Sequence, residues 1–341
     1  MKIKMADVAR YLGLSKATVS LAVNGKPGVN PQTKERIFRC IEEMERNGGV
    51  IPENSPLCRE QSPQLIKVVI FNRRKSVVCD PEMDLWSGVL RTFDKEVRKR
   101  GYLYGLTYFN ENAEDIQRIV EECNLDIVAG VVLFGTELDA EDYEFLKYIQ
   151  KPMVIYDYEM PDGSCSSVCI DNGRAAEMAV EQLLKAGVLE IRYLGTEKNI
   201  YNFQKRREGF LNALLKAGKP PKKDEIILLG SSIGEITERV TEYLADTALP
   251  DAFVMENYQV SIAVLTAVRK LRIAVPKKLK LIGIDEIPEY ILSDFQLTQI
   301  RIPHEERAAM TIDLLDREIS QSWKAKMKAF VLPELLKGES I

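Results

Sequence analysis

A chain of 341 residues with 45% apolar and 29% charged residues has room for two or three domains with proper cores. No run approaches the roughly 18 apolar residues of a membrane span, and the basic start MKIKMADVAR lacks the apolar stretch of a secretion signal, so a cytoplasmic protein with no membrane contact is expected. The net charge of −4 is unevenly spread: residues 1–50 hold nine Lys/Arg against five Asp/Glu, a net of +4, and the remainder carries −8, the asymmetry expected if only a basic head meets a phosphate backbone.

Residues 5–24 read as a helix, a tight turn and a second helix. Met5, Val8, Ala9 and Leu12 recur at i, i+3, i+4 and i+7, one face of a helix. Gly13 breaks it. Ser15 stands where a second helix needs its N-cap, and Val19, Ala22 and Val23 give that helix its inner side. Lys16, Ala17, Ser20 and Leu21 are left pointing outward, with Thr18 near the N-terminal rim and Ser15 and Asn24 at the two ends. These seven are the candidate DNA-reading residues, because the N-terminal residues of a recognition helix reach base edges in the major groove. A third helix follows, with Asn30 as cap, Pro31 at its first position and Ile37, Phe38, Ile41 and Met44 as its apolar stripe. Any small helical hairpin shares the local pattern; the charge split and the third helix favour the DNA reader.

At these residues the chain resembles the LacI/GalR family of bacterial transcription regulators. Asp7-Val8-Ala9, Gly13-Leu14-Ser15, Thr18-Val19-Ser20, Val23-Asn24, Lys26-Pro27-Gly28-Val29 and Thr33-Lys34-Glu35-Arg36-Ile37 fall in that family's order and spacing. Family members very often carry an Arg after Val-Ser on the recognition helix; this chain has Leu21. Arg is the commonest reader of guanine, so Lys16 and Ser20 must supply the polar readout, and an operator unlike the usual one is expected.

Residues 47–64 contain two Gly and three Pro without periodicity and read as a linker. The resemblance implies a short helix here that pushes a leucine into the minor groove and bends the DNA. Ser55-Pro56 would start it and Leu57 would be the wedge; a plain flexible tether is the alternative.

From Leu65 strand-like apolar runs alternate with amphipathic helices, the pattern of parallel α/β sheets. Strands are expected over 66–71, 102–108, 127–134 and 153–156, with helices over 83–100, 113–123 and 140–149. A second such unit places strands at 167–170, 191–194, 226–229, 252–255 and 279–284. Its helices run from Asn172 to Lys185 and over 200–217, 233–244 and 260–271. Strand 297–302, helix 305–318 and a last strand at 327–332 complete the chain.

Two such units suggest a bilobed, hinged binding domain with a cleft between the lobes. The expected fold class is therefore multi-domain: an all-α helix-turn-helix headpiece over 1–46, a linker or hinge over 47–64, and a bilobed α/β domain of the periplasmic-binding-protein type over 65–341. Further segments carry the resemblance: Ile170-Asp171-Asn172, Arg206-x-x-Gly209-Phe210, the run Ile282 to Pro288, Leu297-Thr298-Gln299-Ile300 and Leu332-Pro333-Glu334-Leu335. The resemblance implies three crossings between lobes, with lobe 1 at about 65–158 plus 297–320 and lobe 2 at about 159–296 plus 321–341.

Ligands of open α/β units gather beyond the carboxyl ends of strands. Asp157, Glu256-Asn257 and Asp285 follow strands directly, and Arg206 lies on the helix that carries Gly209. Carboxylates, an amide and an Arg bridge the hydroxyls of a sugar, and an aromatic face stacks on its ring. Trp86 is the candidate face, with ordinary lobe core as its alternative. By resemblance, Arg206 and Asp285 match effector-contacting positions, while Asn257 stands where an Asp is usual and Glu256 where an Asn is. The candidate effector set is Trp86, Asp157, Arg206, Asn257 and Asp285; the plain reading of each lone carboxylate is a solvated loop or a helix cap.

No catalytic residue, metal or cofactor is expected. Asp285 and Glu286 are adjacent on a strand and point to opposite sides. His304 is the only histidine, the six cysteines lack metal spacing, and no Walker A, G-x-G-x-x-G or H-E-x-x-H sequence occurs. The expected function is a transcription regulator, a repressor, acting as a homodimer on double-stranded pseudo-palindromic operator DNA and switched by a small effector such as a sugar or sugar derivative. A periplasmic solute-binding protein shares the bilobed architecture, but it needs a secretion signal and has no use for the basic head.

Overall fold

The computed structural model describes residues 3–12, 14–26, 28–29, 31–49, 64–71, 86–109, 113–138, 143–160, 163–220, 222, 224–287, 289–292, 295–321 and 325–341. The chain divides into two compact units, residues 1–64 and 65–341.

The first unit is three helices, α1 (Met5–Leu12), α2 (Lys16–Val23) and α3 (Pro31–Arg46). The Leu14 N–H returns to the Ala9 carbonyl at 2.9 Å and closes the end of α1. Ser15 then caps α2, its Oγ accepting the Thr18 N–H at 3.0 Å. Val8, Ala9, Leu12, Val19, Ala22, Ile37, Cys40 and Met44 form one small core. Two expected core positions lie outside it: Met5 is 41% and Phe38 40% exposed. Cys40 takes the place of Phe38, because 37, 40, 41 and 44 hold the i, i+3, i+4, i+7 spacing that 38 breaks. Burial, with help from Glu43, pushes the Cys40 thiol up to about 11, so it stays protonated. The expected cap at Asn30 and the linker over 50–63, with Leu57, lie outside the described residues.

The second unit begins with β1 (Leu65–Phe71), α4 (Ser87–Lys99), β2 (Leu103–Phe109), α5 (Ala113–Cys123), β3 (Val128–Phe134), α6 (Tyr143–Leu146), β4 (Met153–Tyr156) and β5 (Ser166–Ile170). It continues with α7 (Asn172–Lys185), β6 (Ile191–Gly195), α8 (Tyr201–Lys216), β7 (Ile226–Leu228), α9 (Ile233–Asp246), β8 (Ala252–Met255), α10 (Tyr258–Lys270) and β9 (Lys280–Ile284). The last elements are α11 (Glu289–Leu292), β10 (Thr298–Arg301), α12 (His304–Ile319), β11 (Lys328–Val331) and β12 (Glu334–Leu336).

The strands form two six-stranded sheets, ordered β11-β5-β4-β3-β1-β2 and β12-β10-β9-β8-β6-β7. Every pairing is parallel except that of β10 with β12. Parallel sheets need both faces covered. In the first lobe, Val68 and Ile70 turn to α4 (Val89, Phe93, Val97) and α12 (Ala308, Ile312, Leu315), while Val69 and Phe71 turn to α5 (Ile116, Ile119, Cys123). In the second lobe, α9 and α10 cover one face and α7 and α8 the other.

The pairings correct three expected lobe assignments. The strand at 166–170 belongs to the first sheet, beside β4 (Ile155↔Ser167), not to the second lobe. The strand at 298–301 belongs to the second sheet, beside β9 (Thr298↔Ile282), and only the following α12 returns to the first lobe. The strand at 328–331 closes the first sheet beside β5 (Lys328↔Ser167). The chain then turns at Pro333, which offers no N–H to a ladder, and adds β12 to the second sheet opposite β10. The crossings are therefore at 170–172, 301–304 and 331–334. Two short elements, α11 and β12, carry no periodic signal of their own. The helix expected over 140–149 is present as α6 at 143–146; residues 139–142 lie outside the described part.

Helices α7 and α8 cross very closely. A Cβ on Gly209 would lie 2.3 Å from the Gly173 carbonyl oxygen and 2.7 Å from its Cα. This contact sets Asn172 and Arg206 side by side at the mouth of the second lobe.

Candidate functional site

Seven of the residues expected to read DNA lie on α2 and at its two ends. Ser15, Lys16, Ala17 and Asn24 are exposed, and Thr18, Ser20 and Leu21 are half-buried. The Ser15 and Thr18 hydroxyls meet at 2.8 Å and fix the entrance to the helix. Asn24 donates through Nδ2 to the Ser20 carbonyl at 2.7 Å and to its hydroxyl at 3.2 Å, which ties the exit. Among the described residues no carboxylate pairs with Lys16, so its ammonium is left for an outside anion.

In the second unit the lobes enclose a cavity of about 380 Å³, and Trp86, Asp157, Arg206, Asn257 and Asp285 all line it. Asp157 and Asp285 hold matching positions, each the first residue after a central strand and each in the left-handed region, with φ of 75° and 70°. Aspartate tolerates that conformation better than most residues, and it swings both carboxylates toward the cleft. Each is held by a buried arginine of its own lobe.

Arg206, on α8, donates from Nη1 to Asp285 Oδ2 at 2.9 Å and from Nη2 to Oδ1 at 3.1 Å. The same guanidinium reaches the Glu256 carbonyl at 2.6 Å and Asn172 Oδ1 at 2.9 Å. Burial works against both charges. The Asp285 carboxylate more than reverses this for Arg206, raising its pKa above the ordinary value. The Arg206 charge, the nearby His304 imidazole and the Arg206 hydrogen bonds likewise hold Asp285 well below the usual carboxylate range.

Arg307, on α12, is fully buried, its guanidinium 4.0 Å from the centre of the Tyr156 ring. It donates to Asp157 Oδ1 and, at 2.6 Å, to the Tyr156 hydroxyl. The other Asp157 oxygen accepts Thr136 Oγ1 at 2.5 Å and Asn202 Nδ2 at 2.9 Å. Asp157 thus forms cleft wall with its acceptor sites largely filled, whereas Asp285 keeps 14% of its side chain exposed.

Asn257 caps α10, its Oδ1 accepting the Val260 N–H at 3.0 Å. Its Nδ2 has no protein partner among the described residues. Glu256 points the other way, into a buried nest of the Thr196 N–H (2.8 Å), Arg207 Nε (2.7 Å) and the Tyr193 hydroxyl (3.3 Å). The Glu256-Asn257 order therefore leaves the amide, not the acid, facing the cleft. Trp86 packs edge-on against Phe134, with ring centres 5.3 Å apart, and it also lines the cavity.

Three residues of the site were not among the candidates chosen from the sequence. His304 lies between the two acid–arginine pairs: Arg307 Nη2 is 3.1 Å from Nδ1, and Nε2 is 3.8 Å from Asp285 Oδ1. Asn202 of α8 accepts from Asn172 at 2.8 Å and donates across the cleft to Asp157. Arg307 had a readable signal, since 307, 311 and 315 form an inward i, i+4, i+8 stripe of α12 and a charge on that stripe needs a buried partner. Among the described residues no group of histidine, cysteine or acidic side chains has the arrangement of a metal site. Burial raises the Cys123 and Cys169 thiols to about 12, far from nucleophilic.

A helix-turn-helix headpiece followed by a two-lobed cleft defines a DNA-binding transcription regulator with an effector domain. The sequence model described as bacterial regulatory proteins, lacI family, matches residues 4–45, and the one for a periplasmic binding protein-like domain matches residues 180–341. The transcriptional regulator GalS of Salmonella typhimurium is 26% identical, over 99% of this chain and 96% of its own length. Catabolite control protein A of Priestia megaterium is 24% identical over 94% of both chains. Among solved structures, the transcriptional regulator CelR–cellobiose complex aligns with a TM-score of 0.70 at 19% identity, over 99% of this chain and 100% of the other. The lac repressor dimer bound to operator and an anti-inducer aligns with a TM-score of 0.70 at 17% identity, over 100% and 99%. Residues 4–45 thus carry a DNA-binding domain of the lacI family and residues 180–341 a periplasmic binding protein-like domain, the two parts of the transcriptional regulators that this chain resembles.

Proposed function

We propose that the chain is a cytoplasmic repressor that binds a pseudo-palindromic operator as a homodimer and is switched by a small polyhydroxylated effector held by Trp86, Arg206, Asn257 and Asp285. The observation that carries this reading is the cleft. It is built from both lobes and bridged by the Asn202–Asp157 hydrogen bond, so a molecule bound there favours one lobe arrangement over another. The similar fold of the CelR–cellobiose complex supports a sugar as the effector class. Two outer strands support the dimer: β2 exposes Leu103, Leu106 and Tyr108, and β7 exposes Leu228, apolar sheet edges that a monomer would leave bare. Residues 47–64 are assigned as the tether or hinge, with Leu57 as the minor-groove wedge.

The test is selection of random duplex DNA on the full chain, followed by electrophoretic mobility shift with a panel of sugars. Two-fold symmetric sites released or tightened by one sugar are expected. Lys16→Ala weakens binding to the selected site by about 1 kcal/mol or more and lowers the salt slope by about 1. Failure to enrich any sequence would return the chain to the solute-binding class.

A further inference from the structure

The start of α8, a helix of the second lobe, is seated on the first lobe by more than Asn202. Residues 200–203 straddle the carboxyl end of the first sheet. Ile200 and Phe203 are buried in the core on the α4 and α12 face, and Tyr201 packs against the core on the α5 face. The three residues that follow β4 receive this turn one by one. Asp157 accepts the Asn202 amide at 2.9 Å. The Tyr158 ring lies 5.3 Å, centre to centre, from the ring of Tyr201. Glu159 Oε2 accepts the Tyr201 hydroxyl at 2.6 Å.

The outer side of the contact is charged. Lys328 of β11 donates to the other Glu159 oxygen at 3.0 Å, and the Lys205 ammonium stands 5.7 Å from the centre of the Tyr201 ring. The Tyr201 bond, and after it Lys328, holds the Glu159 carboxyl below its ordinary value although burial opposes this. Burial and then the same bond push the Tyr201 phenol up, so it keeps its proton and donates. The Glu159 and Lys328 side chains are 31% and 30% exposed, so their ion pair contributes little by itself. The charge-assisted Tyr201 bond and the burial of Ile200 and Phe203 carry the contact.

Ile200, Asn202 and Phe203 line the cavity, whereas Tyr201, Glu159 and Lys328 are not among its described lining residues. One side of the turn thus faces the cleft while the other grips the opposite lobe. Separating the lobes would uncover Ile200 and Phe203 and break two hydrogen bonds made wholly within the chain. A ligand moves an equilibrium only by its difference in affinity for the two states. Where the chain's own contacts already populate the closed arrangement, a molecule that favours the same arrangement has little left to shift. We propose that the first turn of α8 is a clasp that keeps the lobes together before any effector binds, and that the effector signals by parting them. This rests on the reading of the cleft as the effector site.

The first test uses the full-length chain without effector. Trp86 lines the cleft, and Trp323 is the other tryptophan. In a Trp323→Phe background, acrylamide quenching of Trp86 fluorescence reads how open the cleft is. Tyr201→Phe keeps the ring and removes the bond to Glu159, and Glu159→Gln removes the charge. Each is expected to raise the quenching constant about 1.5-fold or more and Tyr201→Ala about threefold or more, while Tyr201→Phe with Glu159→Gln exceeds neither single variant, because the two share one bond. The radius of gyration from small-angle scattering, measured with both tryptophans in place, should rise in the same order. Unchanged quenching and an unchanged radius in Tyr201→Ala overturn the clasp and leave the assignment of the cleft standing. The second test is scattering of the unsubstituted chain with each sugar of the panel. The sugar that alters operator binding is expected to enlarge the radius, and a smaller or unchanged radius overturns signalling by opening. Silence of the whole panel, in scattering and in mobility shift alike, overturns the sugar reading of the cleft together with signalling by opening, and the quenching result still decides the clasp.

Discussion

The Arg206–Asp285 pair offers a sharp test of how the cleft is held together. Replacing Arg206 by Met removes the charge partner of a carboxylate whose side chain is only 14% exposed, and it strips donors from the Glu256 carbonyl and Asn172 Oδ1. Breaking a buried pair from one side costs about 3–5 kcal/mol, a large part of the 5–15 kcal/mol that holds a typical domain together. Asp285→Asn keeps the volume and turns two charge-assisted bonds into neutral ones, a loss of about 1.5–3 kcal/mol. The double variant should cost less than the sum of the singles, with a coupling of about 1–3 kcal/mol.

Urea unfolding followed by far-ultraviolet circular dichroism reads all three variants. The pH dependence adds a second readout. Asp285 is depressed from its ordinary 3.8, so its contribution is fully present above that value and is lost as the pH falls below it. Asp285→Asn should flatten that part of the acid limb. Strict additivity of the two single variants, with an unchanged acid limb, would refute the reasoning. A consequence for effector work is that Arg206→Ala reports lobe stability as well as ligand contact, so loss of response in that variant alone is not proof of a binding role.

Three further outcomes follow from the packing. Ser15→Ala removes the cap of α2 and should lower headpiece stability by about 1 kcal/mol, seen as an earlier melting of its helical signal; an unchanged melt contradicts the cap. Gly209→Ala forces a methyl into the Gly173 backbone and should cost about 1–3 kcal/mol, together with effector affinity, because Asn172 and Arg206 separate; a variant with wild-type stability shows that the crossing yields freely. Asn202→Ala removes the bond to Asp157 across the cleft, a charge-assisted contact of about 1.5–3 kcal/mol. A larger radius of gyration in small-angle scattering is expected without effector, and identical scattering curves would dismiss the bond as a latch.

Most elements were legible because periodicity is a local property. Strands such as 128–134 are continuous apolar runs, and helices such as 172–185 repeat at 3.6 residues. Lobe membership was not, because it depends on which strand accepts an edge partner. Strands 166–170, 298–301 and 328–331 each lie next to a crossing, where chain order and sheet order part company. A strand that ended at Pro333 looked final, yet β12 follows it, three residues long and paired through Arg301↔Glu334. In the cleft, residues directly after strands could be found, since the carboxyl ends of strands are marked by sequence. Asn172 and Asn202 could not, because the Gly209–Gly173 contact is what brings them together. In the headpiece two positions of the expected inward faces, Met5 and Phe38, are exposed, and Cys40 supplies the core contact expected of Phe38.

The interleaving of the two lobes has a consequence for how the molecule is made. Domains emerge from the ribosome N-terminal end first, at roughly 5–20 residues per second. The headpiece has all its helices once residue 46 is out. The first sheet waits for β11 at 328–331 and the core helix α12 at 304–319, and the second waits for β12 at 334–336. Ser340, whose hydroxyl donates to the Leu281 carbonyl and accepts from the Thr298 N–H, seals the second lobe later still. Neither lobe can finish before the other in more than name. A DNA-reading head is therefore displayed on the nascent chain for the tens of seconds before there is a cleft to govern it.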